Sequence, residues 1–176
     1  MRFDVLTLLP EYFQVAQLGV TGRAFRELGH GLHLHSYRPF SGNAHGHVDA
    51  PPYGGGPGMV LRPEVLQATL TAVPREGRSL VVHFSPAAPP LDHAAVVDLA
   101  TFDQLILVCS RFEGVDQRAV AGCIDREYRV GEAVLSGGEL PALILIDAVL
   151  RWLPGVLGNA GSAEADSFAT GLLDHP

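Results

Sequence analysis

The sequence predicts an α/β domain, a parallel sheet with helices on both faces. Strand-like apolar runs alternate with segments of helical period along the whole chain. Two of those runs, around Val81 and Ile106, are apolar without alternation, as strands covered on both faces must be. At 176 residues, 47% of them apolar, the chain is long enough for one domain whose core needs no disulfide or metal staple.

The elements follow in order. Phe3 to Leu9 reads as a strand; Pro10 stops it, and Glu11 to Leu18 can begin a helix. Leu32 to Tyr37 alternates apolar and polar residues and reads as a half-exposed strand. Ser41 to Gly58 is dense in Gly, Pro and His and reads as a long loop, a length that usually signals function. Pro63 to Val73 has a proline near its start and apolar residues at helical spacing. Leu80 to Phe84 is a buried strand ending in Ser85-Pro86, and Asp92 to Ala100 is a helix with Asp92 as its N-cap. Leu105 to Cys109 is a second wholly apolar strand, followed by the loop Ser110 to Asp116. Gln117 to Arg126 is a helix, Tyr128 to Val130 a short strand, and Glu132 to Glu139 a Gly-rich loop. Pro141 to Leu153 is a helix apolar on almost every side, which suggests a subunit interface. Gly155 to Pro176 is small, polar and turn-rich, as a linker is. Ligands of such sheets sit beyond the strand C-termini, and three loops leave those ends: Ser85-Pro86, Ser110 to Asp116, and Gly131 to Pro141.

Composition excludes several classes of function. A net charge of −7 argues against a general nucleic-acid coat, because nonspecific affinity comes from cations meeting phosphates. It leaves room for a site that grips one nucleotide. All twelve basic residues are Arg, which rules out a P-loop lysine and a Schiff-base lysine. No apolar run reaches the roughly 20 residues of a membrane span, and the N-terminus lacks a signal-peptide layout. Cys109 and Cys123 lie in apolar stretches and read as buried free thiols, which suits a cytoplasmic location.

Several constellations can carry chemistry. In Pro51 to Gly58, three successive glycines are bracketed by prolines, so backbone amides can approach a ligand within a restricted turn. Leu135 to Pro141 sets Gly137-Gly138 just before a helix whose first turn suits Pro141. In the loop after the second apolar strand, Glu113 can accept hydrogen bonds from a ribose or an amine. His33/His35 and His45/His47 are spaced to share a face, but neither pair has a third ligand nearby, so no metal site is expected. Asp147 and Arg151 are four apart on the apolar helix, where burial would force them to find partners. Ser162 to Phe168 presents two carboxylates, Glu164 and Asp166, in the linker-like tail.

Together these segments resemble the bacterial tRNA (guanine-N1)-methyltransferases, the TrmD type of the SPOUT superfamily. The matching pieces are Thr21-Gly22-Arg23-Ala24, Pro52 to Met59, Leu105 to Cys109 with Arg111 and Glu113-Gly114, Val134 to Pro141, Pro154 to Gly158, and Asp166-Ser167-Phe168 with Gly171-Leu172-Leu173-Asp174. They run from the first strand to the end of the chain in one order.

The resemblance implies a C-terminal deep trefoil knot, a homodimer, and S-adenosylmethionine bound in the knot. It allows a magnesium ion as well. The implied cofactor residues are Phe84, Ser85 and Pro86; Ser110, Phe112 and Glu113; and Val130, Gly131, Glu132, Ala133, Val134, Leu135, Gly137, Gly138 and Pro141. The family's catalytic aspartate falls on Asp166 and its functional arginine on Arg151, while His45, Asp49, Gly56, Pro57 and Gly58 match positions tied to activity. The implied reaction methylates guanine N1 in tRNA at the nucleoside 3′ of the anticodon. Residues 1–158 then form the cofactor-binding domain and 159–176 an interdomain linker, with the helical tRNA-binding domain absent from this chain. Two departures stand out. Ser110 occupies a position where members usually carry Gly, and it either crowds the cofactor or meets it through backbone alone. Phe112 replaces a Tyr, keeping the ring and losing the hydroxyl. Rival readings are another SPOUT RNA methyltransferase and a non-catalytic module that binds S-adenosylmethionine.

Overall fold

Every residue of β1 (Arg2–Thr7) after the first is buried, because this strand lies inside the sheet. A computed structural model describes residues 1–159 together with 167 and 168. After β1 come a 3-10 helix (Pro10–Gln17), α1 (Gly19–Glu27) and the strand β2 (Gly31–Ser36). A short ribbon, β3 (Asp49–Ala50) with β4 (Val60–Leu61), precedes α2 (Pro63–Ala72). Then follow β5 (Ser79–Phe84), α3 (His93–Leu99), β6 (Gln104–Val108), α4 (Gln117–Cys123), β7 (Arg126–Tyr128) and α5 (Glu139–Leu150).

The main sheet has the order β2-β1-β6-β5-β7, and all four pairings are parallel. Side chains alternate between its faces. Phe3, Val5, Leu80, Val82, Leu105 and Leu107 share one core with Ala24 of α1, Val96 and Leu99 of α3, and Leu145 and Ile146 of α5. Leu6, Val81, Ile106 and Val108 share the other with Val65 and Leu66 of α2 and Ala119 of α4. Both faces are therefore covered, which is why the two central runs show no polar alternation. β2 forms an edge and stays half-exposed. Asp92 caps α3 by accepting a hydrogen bond from the Ala95 amide at 2.9 Å.

Several local expectations need correction. The helix expected from Glu11 is a 3-10 helix, and α1 follows it as a separate element. Gly19 and Gly22 lower the helix propensity of that second segment, and packing overrides it. The helix expected to reach Arg126 ends at Cys123, and the strand expected from Tyr128 begins at Arg126. Polar residues on a strand at the sheet edge do not show the apolar signal that marks a buried one. Asp147 and Arg151 are exposed; the charge that α5 buries is Glu139, 1% exposed at its N-terminus. Cys109 is buried, but Cys123 is only half-buried. No helix among the described residues is long and apolar enough to cross a membrane.

At the N-terminal end of the sheet, fully buried Asp4 satisfies both of its oxygens. Oδ1 accepts from Arg2 Nη2 at 2.9 Å and contacts His35 Nε2 at 2.7 Å, while Oδ2 accepts from Arg2 Nε and Gln104 Nε2, each at 2.7 Å. Burial alone would push this carboxyl upward, but the hydrogen bonds from Arg2, Gln104 and His35 win and hold it below its ordinary pKa. A depressed folded pKa contributes stability at pH above the unfolded value, and that stability is lost as pH falls through the folded one. Asp4→Asn is expected to cost about 2–4 kcal/mol at pH 7, since the amide removes the charge and turns a donating NH2 toward groups that themselves donate. It should also flatten the loss of stability below about pH 4; urea unfolding of both proteins between pH 3 and 7 measures each effect.

Candidate ligand-binding site

β5 and β6 are parallel neighbours, so the loops leaving them emerge side by side, and β7 brings a third beside them. Together they enclose a cleft of about 370 Å³. Phe84, Ser85 and Pro86 form one wall; Ser110, Phe112 and Glu113 form a second. Val130, Ala133, Val134, Leu135, Gly137, Gly138 and Pro141 close the third side.

What holds the loops together is the start of α5. Gly138 has an ordinary φ of −78°, so conformational freedom is not why glycine is needed here. A Cβ at this position would stand 2.7 Å from Cys109 Cα, and its absence lets the helix N-terminus press against the end of β6. The Gly138 amide then donates to the Ser110 carbonyl at 2.9 Å. Next to it, Glu139 Oε1 accepts from Thr7 Oγ1 at 2.9 Å and from Arg111 Nε at 3.3 Å. Arg111 Nη2 lies 3.1 Å from the other oxygen, as an ion pair without hydrogen-bond geometry. A carboxylate in the first helical turn also gains from the helix dipole. Burial, then the Glu139 charge, push the Cys109 thiol well above its ordinary pKa, so it is an inert core group.

Three polar side chains meet at the cleft wall. His83 Nδ1 is 2.8 Å from Glu127 Oε1, and His83 Nε2 is 2.9 Å from Ser110 Oγ. Burial lowers the His83 pKa below 6.5 even though Glu127 opposes it, so the ring is neutral at pH 7. Phe112 holds φ at +62°, a left-handed conformation that costs a non-glycine residue about 1–3 kcal/mol and tends to persist at functional sites. Its ring is half-exposed at the rim.

Other expected residues fall elsewhere. Gly131 and Glu132 are exposed and do not line the cleft. His45 is exposed, its ring 5.8 Å from that of His47, and Asp49 belongs to β3. Gly56 and Pro57 are exposed in the turn before β4. Gly58 (φ +80°) reaches the rim, since a Cβ there would stand 2.4 Å from Glu113 Cγ. The Glu113 amide donates to the Met59 carbonyl at 2.8 Å and fixes that contact. Arg151 is the exposed C-cap of α5 and is not a lining residue. Asp166 lies outside the described residues. Among the described residues, no three His, Cys, Asp or Glu side chains converge as metal ligands would. The loops assigned by resemblance omit His83, Glu127 and Arg129, which also line the cleft. A histidine inside an apolar strand, one residue before a ligand loop, was the available signal, because a buried imidazole needs partners.

The sheet, the cleft beyond its strand C-termini, and the mixture of apolar wall and polar floor define a small-molecule-binding α/β domain. The family profile described as "tRNA (Guanine-1)-methyltransferase TrmD" matches residues 1–176, and the chain belongs to that family. Relatives carry the name tRNA (guanine-N(1)-)-methyltransferase. The one from Magnetococcus marinus is 47% identical over 176 residues, covering 100% of this chain and 70% of the relative. That from Dechloromonas aromatica is 48% identical, covering 100% and 72%. That from Methylococcus capsulatus is 50% identical, covering 100% and 71%.

Two glycine substitutions separate the physical reasons for the Gly-rich segment. Gly131→Ala meets open space but forces φ +71° on alanine, and should cost about 1 kcal/mol. Gly138→Ala drives a methyl into backbone and should cost about 1–3 kcal/mol while moving α5. Thermal unfolding ranks the two, and a crystal structure of the second variant shows the displaced helix.

Proposed function

We propose that this protein binds S-adenosylmethionine in the cleft and methylates N1 of a tRNA guanine, at the nucleoside 3′ of the anticodon. One observation carries the reading. In a chain of this family, three loops that are distant in sequence and were assigned to the cofactor by resemblance converge on one cleft. The residues fit such a group. The volume of about 370 Å³ lies in the usual range for small-molecule sites, about 300–1,000 Å³. Phe84, Pro86, Val130, Val134 and Leu135 offer apolar surface for a purine, and Glu113 and Glu127 offer carboxylates for hydroxyls and cationic groups.

When bound, the cofactor supplies an electrophilic methyl on a sulfonium. The chain's task is the guanine, whose N1 carries a proton and has no free lone pair. Asp166 takes that proton as general base. Arg151 neutralises the charge that builds on guanine O6, a charge that a magnesium ion, if one is bound, would also help to offset. The loops hold methyl and N1 in line, which lowers the barrier through orientation.

The same reading includes a homodimer in which Asp166 serves the partner's cleft. Exposed apolar residues support it: Leu140 (46%) and Ile144 (49%), one turn apart on α5, with Val15 (55%) in the 3-10 helix that packs on α5 and Leu18 (66%) at that helix's C-cap. It also includes a trefoil knot. The return of the chain from the edge strand β7 to α5, pressed against the end of β6, supports such a threading. Residues 1–158 form the cofactor domain, and 159–176 lead to a helical domain that grips tRNA with the basic surface a net charge of −7 lacks. The compartment is the cytoplasm.

Titration of the protein with S-adenosylmethionine, against ATP and NAD, tests the cleft; binding of the first alone is expected. In the intact protein, Asp166→Ala should keep cofactor affinity and slow methyl transfer to a tRNA transcript about 10²–10⁴-fold. Unchanged turnover would remove Asp166 from the mechanism. Arg151→Ala should slow transfer about 10²-fold at normal stability. Binding with no transfer to any RNA would favour the non-catalytic module.

A further inference from the structure

Ser110 lines the cleft, and its Oγ lies 2.9 Å from His83 Nε2, so the hydroxyl is held in one direction at the cleft wall. We propose that Ser110 Oγ is a ligand-contacting acceptor whose direction is set by the His83–Glu127 pair behind it. It would take a hydrogen bond from an O–H or N–H donor of the bound nucleoside. The inference rests on the S-adenosylmethionine reading and adds to it a specificity-determining contact.

The argument starts from Glu127. An ionised carboxylate can only accept, so the 2.8 Å contact requires His83 Nδ1 to carry the ring proton. A neutral ring with its proton on Nδ1 leaves Nε2 as an acceptor. The 2.9 Å contact to Ser110 Oγ must then be donated by the serine hydroxyl. Its only proton is thereby spent, and both oxygen lone pairs remain available to accept. Ser110 lines the cleft, is 7% exposed, and lies beside His83, which is 3% exposed. Water cannot readily compete at such a place, so a ligand donor that fails to meet this oxygen leaves it unsatisfied. A glycine at this position offers no such group. The order Glu127–His83–Ser110 also has the connectivity of an acyl-transfer relay. The adjacent Gly138 amide, however, is already donated to the Ser110 carbonyl, which favours a binding role over a nucleophilic one.

The competing explanation is structural: Ser110 simply satisfies a buried imidazole. Calorimetric titration of the protein with S-adenosylhomocysteine and four trimmed ligands separates the two. The ligands are its 2′-deoxy and 3′-deoxy forms, its inosyl form lacking the exocyclic amine, and 5′-methylthioadenosine, which lacks the amino-acid ammonium. Ser110→Ala should weaken S-adenosylhomocysteine about tenfold, the worth of one hydrogen bond. The trimmed ligand that lacks the donor should bind wild type and variant alike, and so name the donor. Glu127→Leu, which frees the ring tautomer, should lose part of the same discrimination. Ser110→Gly gives a second variant without the hydroxyl should the alanine disturb folding. Equal affinity of wild type and both Ser110 variants, or equal penalties for every trimmed ligand, overturns the inference alone. Failure of the wild-type protein to bind S-adenosylhomocysteine at all overturns both this contact and the functional reading beneath it.

Discussion

The structure turns on one buried carboxylate, Glu139. A charge with 1% exposure is tolerable only if donors surround it, and those donors come from distant places in the chain. Thr7 ends β1 and Arg111 follows β6, and both donate to Glu139 Oε1. These two hydrogen bonds and the Arg111 ion pair therefore fix where α5 begins relative to two neighbouring strands. Gly138 makes the approach sterically possible, and the Gly138–Ser110 hydrogen bond completes it. The cleft is what remains open beside this junction once the three strands have delivered their loops.

The sheet itself carries two polar networks at opposite ends. At the N-terminal end, Asp4 ties Arg2, His35 and Gln104 together, joining β1 to both of its sheet neighbours. At the C-terminal end, His83 joins β7 to the loop after β6. The first is closed: each oxygen of Asp4 already has its donors. The second ends on a hydroxyl with lone pairs to spare. A closed network suits a structural post, and an open one suits a place where a ligand completes the set. The strained φ of Phe112 lies on the same open side, two residues after Ser110.

Much of the fold was legible because the responsible signals are local. Leu80 to Phe84 and Leu105 to Cys109 read as buried strands from their lack of alternation, and both lie inside the sheet. Asp92 declared its cap through residue type alone. Less legible were elements whose residues do not advertise them. α1 holds Gly19 and Gly22, which disfavour helix, and β7 begins with Arg126 and Glu127, which a sheet edge accepts and a propensity scale does not. Asp147 and Arg151 misled in the other direction. So apolar a helix suggested burial for the charges on it, yet α5 leaves one stripe exposed that includes both.

By itself the sequence determined the class of fold, most of the order of its strands and helices along the chain, the family, and three loops that line the cleft. Each follows from hydrophobic period, turn chemistry or motif, which are properties of neighbouring residues. Only the tertiary structure decided which carboxylates are buried, that Gly138 is required by close approach rather than by its φ, and that His83, Glu127 and Ser110 meet. Those facts depend on the parallel register of β5 with β6 and β7. Register aligns residues far apart in the chain, and no local pattern encodes that distance.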